Sequence, residues 1–326
     1  MALFLTESNV RELLTMDMAL RAVDEAFQGL ADGSGAVQPR YRLQVPGGSM
    51  LNYMAAADAR RGYLGMKIYT VSKDGLRFIV PLFNAATGEL LALIEADYLG
   101  QMRTGAASGL ATKLMARAEA RIVGLIGTGL QSRTQLQAIA AVRSIERIRV
   151  FGRDPERRLK FSNEMTALLK IPVEGVGSAE AAVRDTDIVV TCTTASHPVL
   201  FGAWLSPGMH INAVGANFAK KRELDDEAVF RADVIAVDSR EQAKIEAGDL
   251  IQPFQDDPAR WEAVGELADI VAGRTPGRRR PDDITLFKSS GIAIEDVVTA
   301  GYLYEKAVEE KIGRLVPTWE HMAKMS

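Results

Sequence analysis

Apolar and polar positions in the first hundred residues change from helical spacing to alternation. Apolar side chains recur every three or four residues from 18 to 30, after Asp17 and before Gly33, which predicts a helix capped by Asp17. Extended segments follow at 41–45, 65–71, 78–83 and 90–94, and the turn between the last two is typical of a hairpin. No helical pattern separates these segments. We therefore expect an antiparallel sheet with helices at one side.

From residue 104 onward the pattern changes to alternating strands and helices. An Ala-, Leu- and Gly-rich run at 104–116 predicts a tightly packed helix. Short β-branched runs then alternate with helical patterns, and the predicted strands are 122–126, 148–151, 173–176, 188–191, 210–214 and 234–237. One more strand at 284–288 and a long helix at 293–312 follow. The predicted fold class is α/β, with a doubly wound, mainly parallel sheet of Rossmann type and a mixed α+β part before it.

Composition narrows the classes of protein that remain. The chain has 326 residues, more than one hydrophobic core usually supports, so we expect two domains that share a cleft. Lys plus Arg number 39 and Asp plus Glu 42, and the net charge of -3 favours neither nucleic acid nor a membrane surface as a partner. One cysteine and three scattered histidines argue against a disulfide and against a metal site. Residues 1–14 lack the pattern of a targeting segment, so a cytoplasmic protein is expected.

A glycine-rich loop follows the first strand of the predicted parallel sheet. The apolar run 122–126 leads into Gly127-x-Gly129-x-x-Ser132, after which a helix begins. Gly127 permits a tight turn, Gly129 lets the backbone approach a pyrophosphate, and the small Ser132 allows close packing of helix on strand. The N–H groups of the first helical turn then face the phosphates. The loop and its flanking elements together predict dinucleotide binding.

The end of the second parallel strand bears on which dinucleotide is bound. An acidic side chain there would hold the ribose 2′-hydroxyl of NAD, whereas an arginine suits the 2′-phosphate of NADP. The chain has Gly152 where the acid most often stands, followed by Arg153 and Asp154. NAD and NADP both stay open because Asp154 could reach the ribose, with a lean towards NADP from Arg153.

Three basic residues in the first part of the chain are candidates for substrate binding. Arg40 follows Pro39, Lys67 lies within a predicted strand, and Arg103 stands where the two patterns meet. Two arginines and a lysine suit a small carboxylate substrate, because guanidinium groups bind carboxylates bidentately and a lysine donates a proton near the reacting carbon. Spacing alone does not distinguish this arrangement from surface ion pairs.

Seven segments give the chain a resemblance to a known family over almost its whole length. They lie at 39–40, 65–67, 95–108, 127–135, 210–217, 222–225 and 285–291, and include Gly65-Met-Lys67, Gly127-Thr-Gly-Leu-Gln131 and Gly215-Ala-Asn217. In the order and spacing of these segments the chain resembles the ornithine cyclodeaminase/mu-crystallin family.

The resemblance implies a domain organisation and a set of site residues. A substrate-binding and dimerisation domain would comprise 1–115 with 300–326, and a Rossmann domain 116–299. Arg40 and Arg103 would bind the substrate carboxylate, and Lys67 would assist at the reacting nitrogen or carbon. The resemblance places Thr104, Gln131, Thr193 and Ser289 along the cofactor. The residues expected there from the glycine loop and the second strand are Gly127, Gly129, Leu130 and Arg153. The implied partners are a small imino or amino acid and a second copy of the chain in a homodimer.

Asn217 narrows the reaction that the resemblance implies. Cyclodeaminases of the family carry an aspartate in this loop, proposed to handle protons on the amine and on attacking water, but an asparagine cannot titrate. Asn217 can still hydrogen-bond an imine. We therefore predict an NAD(P)H-dependent oxidoreductase that reduces a 2-imino carboxylate (a ketimine) to the L-amino acid, or runs the reverse dehydrogenation. Ornithine cyclodeaminase and a non-catalytic binder similar to mu-crystallin are the alternatives.

Overall fold

The computed structural model describes residues 1–319. The first elements are β1 (Ala2–Leu5), α1 (Glu7–Leu13), α2 (Met16–Asp32), β2 (Gly35–Val37), β3 (Tyr41–Gln44), β4 (Met50–Asp58), β5 (Tyr63–Ser72), β6 (Gly75–Asn84), β7 (Leu90–Glu95) and α3 (Asp97–Met115). Next come β8 (Ile122–Ile126), α4 (Leu130–Val142), β9 (Arg147–Phe151), α5 (Pro155–Leu169), β10 (Val173–Gly175), α6 (Ala179–Val183), β11 (Ile188–Thr191), a 3₁₀ turn (Gly202–Trp204) and β12 (His210–Ala213). The last are α7 (Asp226–Phe230), β13 (Val234–Val237), α8 (Arg240–Glu246), α9 (Gly248–Phe254), α10 (Pro258–Glu262), β14 (Gly265–Glu266), α11 (Leu267–Val271), β15 (Thr285–Lys288), α12 (Ala293–Glu310) and β16 (Arg314–Val316).

Contacts between Cα atoms divide the chain into two compact units. One consists of Met1–Arg103 and, among the described residues, 292–319, and the other of Thr104–Gly291. These limits differ from the expected ones after residues 115 and 299. The second half of α3 packs tightly within the second unit, because a Cβ on Gly105 would lie 2.4 Å from the Thr134 carbonyl oxygen of α4. The start of α12 is bound to the sheet of the first unit.

The first unit contains an eight-stranded sheet in the order β16-β1-β7-β6-β5-β4-β2, with β3 also paired to β4. Every pair is antiparallel except β1 with β7. The predicted antiparallel sheet is confirmed, and the parallel pair is an addition. Residues 2–5 form too short an apolar run for the sequence pattern to specify a partner strand.

The two faces of this sheet differ in what covers them. α12 packs on the face that carries Lys67, and so closely that a Cβ on Gly65 would lie 2.9 Å from Val297 Cγ2. The opposite face of β3 to β6 exposes large apolar side chains, namely Tyr41, Leu43, Tyr53, Leu64 and Ile79. An apolar cavity of about 380 Å³ lies beside them, lined by parts of β2, β4 and β5 and by Phe83.

The second unit contains an eight-stranded sheet in the order β10-β9-β8-β11-β12-β15-β13-β14. All of its strand pairs are parallel, which confirms the doubly wound sheet. β11, β12 and β15 are buried along their whole length, as expected for strands covered on both faces. The strand order reverses between β8 and β11, and loops at such a switch point form the ligand site of open α/β sheets.

Two local predictions are changed by the structure. α2 begins after Thr15 rather than after Asp17, because the Thr15 hydroxyl accepts a hydrogen bond from the Met18 N–H at 3.2 Å. Asp17 lies within the first helical turn and forms an ion pair with Arg21 at 3.2 Å. α3 begins at Asp97, seven residues before the predicted start at 104. None of the helices described in residues 1–319 is long and apolar enough to cross a membrane.

Candidate active site

The basic residues predicted for the substrate lie together in the first unit. Lys67 is in the middle of β5 and Arg103 is on α3, and both side chains are buried. Each binds the same carboxylate oxygen of α12: Asp296 Oδ1 is 2.9 Å from Lys67 Nζ and 3.1 Å from Arg103 Nε. Glu295 Oε2 also binds Arg103, at 2.6 Å from Nη1. The ion pairs are held in a nearly water-free environment, where charge interactions are strong.

The pKa of Lys67 is lowered from its ordinary value to about 8. Burial is the largest cause, because it disfavours the ammonium form, and the positive charges of Arg103 and Arg40 act in the same direction. The carboxylate of Asp296 opposes them and raises the pKa. A lysine that titrates near neutral pH is suited to proton transfer.

Arg40 completes this cationic cluster. It follows Pro39 in the segment before β3 and is 7% exposed, and its Nη2 lies 3.8 Å from Met54 Sδ. Met54 is paired with Lys67 across β4 and β5, which brings the segment of Arg40 beside the lysine. The structure therefore places Arg40, Lys67 and Arg103 near one another.

Sequence reasoning missed the two acidic partners, Glu295 and Asp296. Both are fully buried in the first turn of α12. Acidic residues are common in a first helical turn, where they interact with the helix dipole, so their presence there does not by itself indicate a site. A more specific indication was that these two adjacent acids stand at the start of a helix whose next eight residues, 297–304, carry no charge.

The glycine loop of the second unit has the geometry that phosphate binding requires. Gly127 directly follows β8 with φ of 119°, and a Cβ there would lie 2.2 Å from the Cys192 carbonyl oxygen. Gly129 is the N-cap of α4, where no side chain caps the helix and a Cβ would meet nothing within 4 Å. Leu130 is exposed, Gln131 is half-buried and Ser132 is buried. The open approach to the first N–H groups of α4 fits a dinucleotide pyrophosphate.

A buried glutamate fixes two loops at the carboxyl end of the parallel sheet. Glu223 Oε1 accepts hydrogen bonds from the backbone N–H and the hydroxyl of Thr193, both at 2.7 Å. Its Oε2 accepts from Thr191 Oγ1 at 2.9 Å and from the Gly215 N–H at 2.7 Å. The loops after β11 and β12 are thus tied to one carboxylate. The role of Glu223 was not predicted, although its motif at 222–225 was recognised.

Buried Lys288 and Asp238 bind backbone groups at the ends of neighbouring strands. Lys288 Nζ binds Asp249 Oδ2 at 3.2 Å and donates to the carbonyl oxygens of Ala213 and Ala216, at 3.2 and 2.6 Å. Asp238 Oδ2 accepts hydrogen bonds from Ser289 Oγ at 3.3 Å and from the Ser290 N–H at 2.7 Å. Ser289, predicted at the cofactor, is therefore fixed at the end of β15.

Comparison with known proteins identifies the family. The model of the ornithine cyclodeaminase/mu-crystallin family matches residues 1–311. The chain belongs to this family.

Several relatives of known type are similar over most of the chain. A Δ1-pyrroline-2-carboxylate reductase of Bacillus thuringiensis subsp. konkukian is 40% identical over 261 residues, 78% of this chain and 80% of the relative. The solved Δ1-pyrroline-2-carboxylate reductase of Thermococcus litoralis, in complex with NADH and L-proline, is 38% identical with a TM-score of 0.92, covering 96% and 100% of the two chains. An archaeal alanine dehydrogenase dimer with bound NAD is 32% identical with a TM-score of 0.91, covering 97% and 99%.

Within this family fold, Asn217 and Thr104 lie at defined positions of the second unit. Asn217 is half-buried in the loop after β12, one residue beyond the Ala216 carbonyl that Lys288 binds. Thr104 is buried on α3, and its carbonyl oxygen accepts a hydrogen bond from Gln135 Nε2 of α4 at 3.1 Å. The side-chain amide of Asn217 does not titrate in the neutral range, so this residue cannot act as a general base.

The end of β9 shows why no acid stands at the usual NAD position. A Cβ on Gly152 would lie 2.7 Å from Thr128 Oγ1, so Thr128 excludes a larger residue there. Asp154 caps α5, and its Oδ1 accepts from the N–H groups of Glu156 and Arg157, both at 3.0 Å. Arg153, between Gly152 and Asp154, is exposed. Asp154 is thus engaged in helix capping, which typically contributes about 1 kcal/mol.

Proposed function

We propose that the chain is an NAD(P)H-dependent reductase of 2-imino carboxylates, and that its substrate is a cyclic ketimine of the Δ1-pyrroline-2-carboxylate type, reduced to the L-amino acid. Members of the family that are similar over most of this chain include reductases and dehydrogenases of imino and amino acids, and the chain is an oxidoreductase of this kind. The observation that carries the proposal is the buried cluster of Arg40, Lys67 and Arg103, with the pKa of Lys67 lowered to about 8.

Each residue of the cluster has a role in the proposed mechanism. Arg40 and Arg103 bind the substrate carboxylate, for which a planar guanidinium is the best partner. The reduced nicotinamide, when bound, supplies a hydride to the imine carbon. Lys67 donates a proton to the nitrogen that becomes an amine, and burial of the cluster excludes water from it. In the second unit, Gly127, Gly129, Leu130 and Gln131 hold the pyrophosphate, and Thr104, Thr193, Ser289 and Asn217 line the cofactor or substrate.

A panel of substrates tests this proposal through the absorbance of the reduced nicotinamide. We expect oxidation of the cofactor with Δ1-pyrroline-2-carboxylate, and slower oxidation with pyruvate plus ammonia or methylamine. Ornithine should give neither ammonia nor proline, because Asn217 cannot act as a base. Ammonia and proline from ornithine would instead identify a cyclodeaminase. Tight cofactor binding without turnover of any substrate would identify a non-catalytic binder.

We also propose a preference for NADPH, supported by Arg153 and by the engagement of Asp154 in capping. The Arg153→Ala variant should lower kcat/KM for NADPH by about tenfold, since one charge-assisted contact to the 2′-phosphate is lost. The NADH value of the same variant is the control and should stay within about twofold. Equal losses with both cofactors, or a wild type that prefers NADH, would contradict the preference.

The exposed apolar face of β3 to β6 supports a homodimer formed through this sheet. Exposed apolar side chains next to a cavity are typical of surfaces that bind another protein. Sedimentation equilibrium should give twice the chain mass of 35.4 kDa. The Leu64→Arg variant should sediment as a monomer.

A further inference from the structure

Asp296 is placed differently from its neighbour Glu295, although both are fully buried in the same helical turn. Asp296 Oδ1 binds Lys67 Nζ at 2.9 Å and Arg103 Nε at 3.1 Å. Glu295 Oε2 binds the opposite side of the Arg103 guanidinium, at Nη1. Asp296 is therefore the acid that joins the lysine to the arginine.

The second oxygen of Asp296 is available for a further partner. Oδ2 is buried and accepts no hydrogen bond from any group in residues 1–319. A buried carboxylate oxygen without a donor is costly, so such an atom in a native site points to a ligand or to water. The N–H of the product amine, formed when the nitrogen takes its proton, or a water molecule is a donor of the right kind.

The charged groups that act most strongly on Lys67 lie in the first unit. Arg40 before β3 and Arg103 of α3 are positive, Asp296 of α12 is negative, and the uncharged ring of Phe78 on β6 lies 5.3 Å from Nζ. A Cβ on Gly100 would lie 3.1 Å from Nζ, so α3 closes that side. Without Asp296 the ammonium would have two cations and no anion beside it.

We infer that Asp296 is a positioning residue: it keeps Lys67 protonated and directs the lysine proton towards the substrate nitrogen. Glu295 positions Arg103 instead. The inference rests on the proposed reduction of a 2-imino carboxylate by a nicotinamide cofactor. The imine carbon accepts a hydride with its electron pair, and the C=N π electrons become a lone pair on nitrogen. That lone pair takes the proton from Lys67 Nζ, and solvent returns a proton to the lysine.

The pH dependence of kcat/KM distinguishes the two acids. In the wild type, activity should fall as Lys67 loses its proton, above a pKa of about 8. In Asp296→Asn the alkaline limb should move to lower pH by about one to three units, because the carboxylate that raises the lysine pKa is gone. In Glu295→Gln the limb should move by less than about half a unit, with the main change in KM. Titration of the substrate itself is common to all three proteins and cancels in the comparison.

A second measurement reads Lys67 without turnover. In protein with ¹³Cε-labelled lysine, the Lys67 resonance is assigned by its loss in Lys67→Arg and titrated by NMR in the cofactor-free enzyme. We expect its midpoint to be lower in Asp296→Asn than in the wild type, and nearly unchanged in Glu295→Gln. Coincident midpoints in wild type and Asp296→Asn, or an equal shift in Glu295→Gln, would overturn the inference. Absence of imine reduction by the wild type would overturn the proposed function and leave this titration as an independent test.

Discussion

Replacing Lys67 with methionine is expected to lower kcat for imine reduction by about 10²- to 10⁴-fold, the usual contribution of a general acid. Methionine is of similar length and keeps the apolar part of the side chain, but it has no proton to give. The dissociation constant of NADPH should change by less than about threefold, because the glycine loop belongs to the other unit. Steady-state kinetics and a fluorescence titration of the cofactor measure the two quantities.

A matched variant separates the proton of Lys67 from the charge of its cluster. Lys67→Arg retains a cation beside Asp296, but arginine stays protonated over the accessible pH range. If proton donation is the function of Lys67, the arginine variant should be nearly as inactive as the methionine variant. Recovery of most of the wild-type kcat by arginine would show that only the positive charge matters.

The Gly127→Ala and Gly129→Ala variants are expected to lose different properties, stability in the first case and cofactor binding in the second. At Gly127 the added Cβ would lie 2.2 Å from the Cys192 carbonyl oxygen at φ of 119°, so the free energy of unfolding should fall by about 2–4 kcal/mol. At Gly129 the Cβ meets no protein atom and φ is -83°, so stability should change by less than about 0.5 kcal/mol. The Gly129→Ala protein should nevertheless bind cofactor at least about tenfold more weakly, because its backbone must approach the pyrophosphate.

Urea unfolding and cofactor titration of the two alanine variants check this pair of results. A Gly129→Ala protein that binds NADPH as tightly as the wild type would place the pyrophosphate elsewhere. A Gly127→Ala protein of unchanged stability would show that the turn can relax around the added methyl group.

Elements whose apolar period is long and regular were predictable from the sequence. The alternation in β5 to β7 and the strand–helix succession from β8 to β13 determine which side chains of each segment are buried, and most of both sheets follows from it. β4 was not predicted, although it pairs with β5 along its whole length. Periodicity does not specify which strands become neighbours over long separations. β15 is an example, since it enters the parallel sheet between β12 and β13.

Only one partner of each ion pair in the candidate site could be predicted from the sequence. Lys67 and Arg103 were recognised from motifs, but Asp296 is 229 positions from Lys67, and no local pattern links them. Glu223 similarly reaches back 30 residues to Thr193. A buried charge needs a partner, and the tertiary structure determines which residue supplies it.

The contact between Gly152 and Thr128 constrains how the cofactor preference of this enzyme could change during evolution. A carboxylate at position 152, the usual means of holding the NAD ribose, has no room while Thr128 stands 2.7 Å from the site of its Cβ. Exchanging Thr128 for glycine or alanine first would remove both atoms that stand within 3.0 Å of that site. The two substitutions are therefore coupled, and only one order of mutation avoids an intermediate with a steric clash.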